Sequence, residues 1–182
     1  MTLFDLPEPE PTLRVGLKSL AGRHDCTTSG IAERCHGGCC RNQTYWPVRI
    51  DPSPNGCAAL GPDGCRLGAG RPVTCHLYPL HGDTTLTLHF RTRLKTSCCA
   101  GNAGEGPPLH EALRTSLEAL LEDGEYQRIA DACASGTEGA MDVRARPGVA
   151  ERLAEDHAAE AEGRWPAYVD TSAIYDRGVD IS

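Results

Sequence analysis

Cys35-His36-Gly37-Gly38-Cys39-Cys40, continued by Cys57, Cys65 and Cys75, is the densest cysteine run in this 182-residue chain. With Cys26, Cys98 and Cys99 it places nine of the ten cysteines within residues 26–99. Short spacings, intervening glycines and a start without a secretory leader point to thiolates holding a metal rather than to an extracellular disulfide scaffold. Glycine suits such loops, since it tolerates positive φ and lets backbone amides approach sulfur closely. Aromatic residues make up only 5% of the chain, so the apolar core open to this half is thin. A metal whose site exists only in the folded chain would add its binding free energy to folding.

Outward from this centre, Pro7, Pro9 and Pro11 alternate with acids and read as extended chain, and residues 15–21 read as a short helical turn. Residues 45–50 have the composition of an edge strand interrupted by Pro47. Asn55-Gly56, Gly61-Pro62-Asp63-Gly64 and Gly68-Ala69-Gly70 are turn sequences that return Cys57, Cys65 and Cys75 through tight reversals. Residues 85–94 alternate, with Leu86, Leu88, Phe90 and Leu94 on one face and Thr87, His89, Arg91 and Arg93 on the other. With residues 75–80 before it and His81-Gly82-Asp83 as the turn, this predicts a small hairpin that delivers the chain to Cys98-Cys99.

Beyond residue 100 the periodicity changes. Pro107-Pro108 precedes Leu109, Leu113, Leu117, Leu120 and Leu121, the stripe of an amphipathic helix with proline in its first turn and Gly124 near its end. Tyr126, Ile129, Ala130 and Cys133 predict a second helix, and Val149, Leu153 and Ala161 a third. Cys133 on such a stripe reads as a small core hydrophobe, and His110 and His157 read as solvated helix residues. The expectation is one α+β domain over residues 1–182. It has an irregular cysteine-rich metal-binding core with a short β-hairpin at 26–99, and two or three packed α-helices at 107–165.

Charge is uneven. Residues 11–100 carry eleven Lys and Arg against five Asp and Glu, and residues 101–182 carry seven against seventeen, within a net charge of -7. A basic surround suits thiolates, whose pKa nearby cations lower; solvated surface explains it equally well. No basic run interleaved with aromatics appears, so nucleic acid is not an expected partner. No stretch approaches a membrane span, and the expected location is the cytoplasm, with an unidentified protein or small molecule as partner.

Cys57-Ala58-Ala59-Leu60, Asp63-Gly64-Cys65-Arg66-Leu67 and Arg71-Pro72-Val73-Thr74-Cys75-His76-Leu77-Tyr78-Pro79 occur in that order, with Cys39-Cys40 upstream. In this combination the sequence resembles the YkgJ-type cysteine-cluster family, zinc- or iron-chelating proteins named for a CxxxCxxCC motif. The resemblance covers roughly residues 26–80. The first cysteines are spaced C-x8-C-x3-C-C, leaving Cys26 or Cys35 for the family's first position, and His76 stands where the family commonly has arginine. Family members similar to the flagellin lysine methylase are associated with a 4Fe-4S cluster, so the resemblance implies an iron-sulfur centre held by Cys26, Cys35, Cys39, Cys40, Cys57, Cys65 and Cys75. It does not carry over the methylase activity, since most of that larger enzyme has no counterpart in this chain.

By chemistry alone four thiolates suit tetrahedral zinc as well as a 4Fe-4S cluster. Cys98-Cys99 read as further ligands, a redox pair or buried thiols. His36 and His76, each beside a cysteine, read as ligands, proton shuttles or hydrogen-bond donors to sulfur. Nine thiols exceed the about four that one centre needs, which leaves room for a second metal or a reactive thiol. The expected function is an iron-sulfur-binding protein, open to redox or group-transfer activity on an unidentified substrate. The alternatives are a structural zinc module for interaction, a metal storage or delivery protein and a thiol redox sensor. No nucleophile, base and orienter set, phosphate loop or carboxylate pair stands out.

Overall fold

A computed structural model of the chain describes residues 12–24, 57, 59–61, 64–78, 80–82, 87–90 and 103–175. In chain order the elements are β1 (Thr12–Gly16), α1 (Leu17–Ala21), β2 (Arg23–His24), β3 (Leu60–Gly61) and β4 (Gly64–Cys65), then α2 (Val73–Leu77), β5 (Leu80–Gly82) and β6 (Thr87–Phe90). There follow β7 (Ala103–Pro108), α3 (Leu109–Ala112), α4 (Arg114–Leu120), α5 (Glu125–Ala134), β8 (Ala140–Arg144), α6 (Val149–Glu162) and α7 (Ser172–Tyr175). Helices beside a small sheet make this an α+β arrangement.

β1 is the strand on which the sheet is built. Its alternation turns Leu13 and Val15 inward and leaves Thr12 and Arg14 outside. On one edge β8 pairs with it antiparallel, Leu13 facing Val143 and Val15 facing Met141. Arg14 and Asp142 face each other on the exposed side and form an ion pair at 3.5 Å. On the other edge β6 lies parallel, with Val15 opposite Leu88, and β5 closes the order β5-β6-β1-β8. Strands from the cysteine-rich half and from the helical half therefore share one ladder.

A hairpin is present as β5 and β6, with Leu80 opposite Phe90 and His81 opposite His89, but its first arm is Leu80–Gly82 and not residues 75–80, because residues 75–77 lie in the helix α2. His81 and Gly82 belong to the strand rather than to the turn, because the antiparallel ladder runs as far as Gly82 opposite Leu88. The remainder of 85–94, the strand expected at 45–50 and the extended Pro7, Pro9 and Pro11 segment lie outside the described residues. Residues 15–21 divide between strand and helix, Val15 and Gly16 finishing β1 before α1 begins at Leu17.

Leu109, Leu113, Leu117, Leu120 and Leu121 are all buried, as their spacing predicts. They run along two helices rather than one, with Leu113 at the break between them (φ -97° and ψ 7°) and Leu121 just past the end of α4. The stripe survives because Leu113 N–H bonds Leu109 O and Leu117 N–H bonds Leu113 O, both at 2.9 Å, so the helical phase carries across. Pro107 and Pro108 end a strand instead of opening the helix: β7 pairs with β2, Arg23 facing Pro108, and Pro108 caps α3 from outside. A two-strand ribbon tolerates proline at its edge.

Gly124, at φ 85°, turns the chain into α5, a left-handed conformation that glycine adopts without a Cβ clash. Ile129 is fully buried there, with Tyr126 and Cys133 packed against the same core. α6 ends at Gly163, φ 71°, where Arg164 N–H reaches Ala159 O at 3.0 Å in the Schellman manner. Its buried stripe is Val149, Leu153, Asp156 and Ala159, while Ala161 points outward.

Two polar side chains are buried beside this core, and the first, His110, was expected to be solvated. His110 is only 6% exposed, beneath Tyr126, whose hydroxyl lies 3.5 Å from Nδ1. Glu125, fully buried at the start of α5, receives Arg128 Nη1 at 2.5 Å and Arg144 Nε at 3.0 Å. The two guanidiniums remain half exposed, so the carboxylate is neutralised while the cations keep most of their hydration. Arg144 lies on β8, and this pair ties α5 to the sheet.

Leu117→Ala is expected to lower stability by about 2–5 kcal/mol in urea titration, the cost of a leucine-sized cavity. Arg144→Ala should cost about 1–3 kcal/mol by leaving Glu125 with one partner. A pH dependence follows from His110, whose pKa burial lowers from 6.5 despite the opposing charge of Glu111. The unfolded chain takes up this proton first as pH falls, so stability is present above about 6.5 and declines below it. In His110→Gln, unfolding midpoints measured from pH 7 to pH 5 should show a shallower slope than wild type.

Candidate functional site

Of the nine clustered cysteines, Cys57, Cys65 and Cys75 are described; Cys26, Cys35, Cys39, Cys40, Cys98 and Cys99 lie outside the described residues. Cys57 is half-buried. Cys65 ends β4 opposite Leu60, and a bond of 2.8 Å from Arg66 N–H to Ala59 O closes this small hairpin. Cys75 is exposed in the middle of α2. Cys57, Cys65 and Cys75 are not disulfide-bonded to one another or to Cys133. Among the described residues no three His, Cys, Asp or Glu side chains gather to hold a metal ion. The three thiols are soft donors of the right chemistry, and a four-thiolate set requires them to be joined by others of the nine.

The Arg71-Pro72-Val73-Thr74-Cys75 segment shows how one of these thiols is held. Pro72 is buried and stops the preceding turn, leaving α2 as a five-residue helix with no side-chain cap of its own. So short a helix does not sustain itself, and its first N–H groups need partners. They find them far away in sequence. Val73 N–H donates to the Tyr168 hydroxyl at 3.1 Å, and Thr74 N–H donates to Asp156 Oδ2 at 2.8 Å. The Thr74 hydroxyl donates to the same oxygen at 3.1 Å, and the Tyr168 hydroxyl donates to Asp156 Oδ1. Cys75 N–H bonds Pro72 O at 3.0 Å, so each of the first three donors is satisfied. Val73 and Leu77 anchor the other face in the core.

Asp156 is 0% exposed. Burial raises its pKa from 3.8, outweighing the hydrogen bonds from Tyr168 and Thr74 that favour the carboxylate. Burial, and after it the bond to Asp156, likewise raises the Tyr168 pKa. The Arg152 guanidinium lies over the Tyr168 ring, 5.8 Å from its centroid.

His76 turns away from a ligand's role. Its Nδ1 accepts from Arg71 Nε at 3.2 Å and its Nε2 lies 3.2 Å from Ala69 O. Since a guanidinium only donates and a carbonyl only accepts, the ring is neutral with its proton on Nε2. Burial and the Arg71 charge lower its pKa accordingly. Arg71 also reaches Ser116 Oγ at 3.5 Å, tying the loop to α4. Cys133 packs against the core, its Sγ 4.0 Å from Leu17 O, and burial raises its thiol pKa. That is the environment of an inert core cysteine.

Asp156 had a signal in the sequence, as an acid falling on the Val149 and Leu153 stripe, where an apolar residue is called for. Tyr168 had none, because its partner is a backbone amide 95 residues away. No family model matches the chain, no curated protein matches it and no solved structure matches it.

Tyr168→Phe removes one oxygen and leaves the Val73 amide without its acceptor. A loss of about 1–3 kcal/mol is expected in chemical denaturation, with faster hydrogen exchange at the Val73 and Thr74 amides.

Proposed function

We propose that the protein is an iron-sulfur-binding protein, of the 4Fe-4S type, related to the YkgJ-type cysteine-cluster family. The observation that carries this is the Arg-Pro-x-x-Cys element. Its cysteine stands exposed on a turn whose amide donors are tied down by Asp156 and Tyr168, which suits a ligand that must meet a metal in one orientation. The supporting arguments are the nine cysteines within residues 26–99 and the order of the elements around Cys57, Cys65 and Cys75. The ligands are drawn from Cys26, Cys35, Cys39, Cys40, Cys57, Cys65 and Cys75, with Cys98 and Cys99 as further candidates. Bound there, a cluster would supply electron transfer or a Lewis-acidic iron; the chain's own residues hold and orient the thiolates. The protein works in a reducing cytoplasm, as one domain with its metal-binding part at 26–99. No helix among the described residues is long and apolar enough to cross a membrane.

Anaerobic purification from iron-supplied cells should give a coloured protein with iron and acid-labile sulfide bound. A colourless preparation with stoichiometric zinc and no iron would replace this reading with a structural zinc module. Cys39→Ala and Cys75→Ala should lose metal and stability together. Cys133→Ala should keep the full metal content, since that thiol belongs to the hydrophobic core.

A further inference from the structure

We infer that Asp156 and Tyr168 are positioning residues for the Cys75 thiol, acting through the first two amides of α2; the ligand role of that thiol rests on the function proposed above. The two bonds they accept are made by Val73 and Thr74, the residues immediately before Cys75. Fixing those amides fixes the direction of the first helical turn, and with it the direction in which the Cys75 Cβ leaves the backbone. Pro72 supplies no cap, and the helix has only five residues, so the orientation is imposed from α6 and the segment after it.

The choice of a carboxylate strengthens the argument. Position 156 lies on the buried stripe of α6 with Val149, Leu153 and Ala159. An apolar side chain there would pack without the cost of removing a charge from water. What the carboxylate adds is direction: one oxygen takes both donors of Thr74 and the other takes the Tyr168 hydroxyl. The hydroxyl in turn accepts from Val73, so the two side chains form one unit with two points of attachment on α2. On the opposite side Val73 and Leu77 enter the core, and Cys75 is left as the exposed member of the turn.

The test uses the full chain as wild type, Tyr168→Phe, Asp156→Asn and Asp156→Ala. In chelator-treated, metal-free protein, alkylation rates at Cys75, Cys65 and Cys133 are mapped by mass spectrometry. In the anaerobic preparations, iron and sulfide are counted and the electron paramagnetic resonance of the reduced protein is recorded. Tyr168→Phe and Asp156→Ala are expected to shift the ratio of Cys75 to Cys65 alkylation by about threefold or more, as local loosening of one segment does. Both should also change the resonance line shape. Asp156→Asn, which keeps an acceptor for Thr74 but sets an NH2 group against the donating Tyr168 hydroxyl, should fall between wild type and Asp156→Ala in both.

An unchanged ratio in folded Tyr168→Phe would overturn the inference, as would an equal acceleration at all three thiols, which marks general loosening. If Asp156→Ala does not fold, Tyr168→Phe decides, since it removes a single oxygen. If wild type carries no iron, the metal reading fails by itself, and the alkylation ratio still decides whether these two side chains position Cys75.

Discussion

A carboxylate shut away from water governs the turn that carries Cys75. Asp156 is charged only against the cost of its burial, and that cost is offset in part by three donors converging on its two oxygens. Remove any of them and the remainder is a buried polar group short of partners, which is why such a group either holds its surroundings in one arrangement or is not tolerated at all. Here the surroundings are the amide end of a helix too short to stand alone. The orientation of the Arg-Pro-x-x-Cys turn is thus set by α6 and by Tyr168, over 80 residues downstream.

The same division of labour recurs in the sheet. β1 comes from the N-terminal segment, β6 from the end of the cysteine-rich half and β8 from the acidic helical half, and all three share one ladder. Leu13 and Val15 bring β1 into the core with Val143, Leu117, Leu121 and Ile129. Glu125 adds a polar tie between α5 and β8 through Arg144. Among the described residues the helical half supplies more than half of the buried leucines, and α2, which carries Cys75, puts Val73 and Leu77 into the same core. This fits the scarcity of large apolar residues among the cysteines.

Much of the helical half was legible in the sequence, because a leucine or isoleucine every three to four residues states which face will be buried whatever the partner. All five leucines from Leu109 to Leu121 are buried, as are Ile129, Val149 and Leu153. Of the hairpin, β6 was legible from the alternation of residues 87–90, whereas its partner β5 was displaced, taking in the His81 and Gly82 read as turn. β7 and β8 were not: glycines and two prolines hide the first, and the second has Val143 as its single fully buried side chain. Each is a strand only because β2 or β1 offers it a ladder. His110 was misjudged for a related reason, since a polar residue next to Leu109 carries no mark of the Tyr126 that covers it.

Of the candidate site, the residue types and their order were set by the sequence alone: soft thiols, glycine turns and the Arg-Pro-x-x-Cys element. These are local properties, and local chemistry is what a sequence states directly. Tertiary structure alone decided that His76 is a neutral hydrogen-bonded link between Arg71 and Ala69, and that Asp156 and Tyr168 hold the turn bearing Cys75. The physical reason is distance along the chain. A hydrogen bond between residues 82 or 95 positions apart exists only once packing has brought α6 against α2, and nothing in either segment read by itself announces the other.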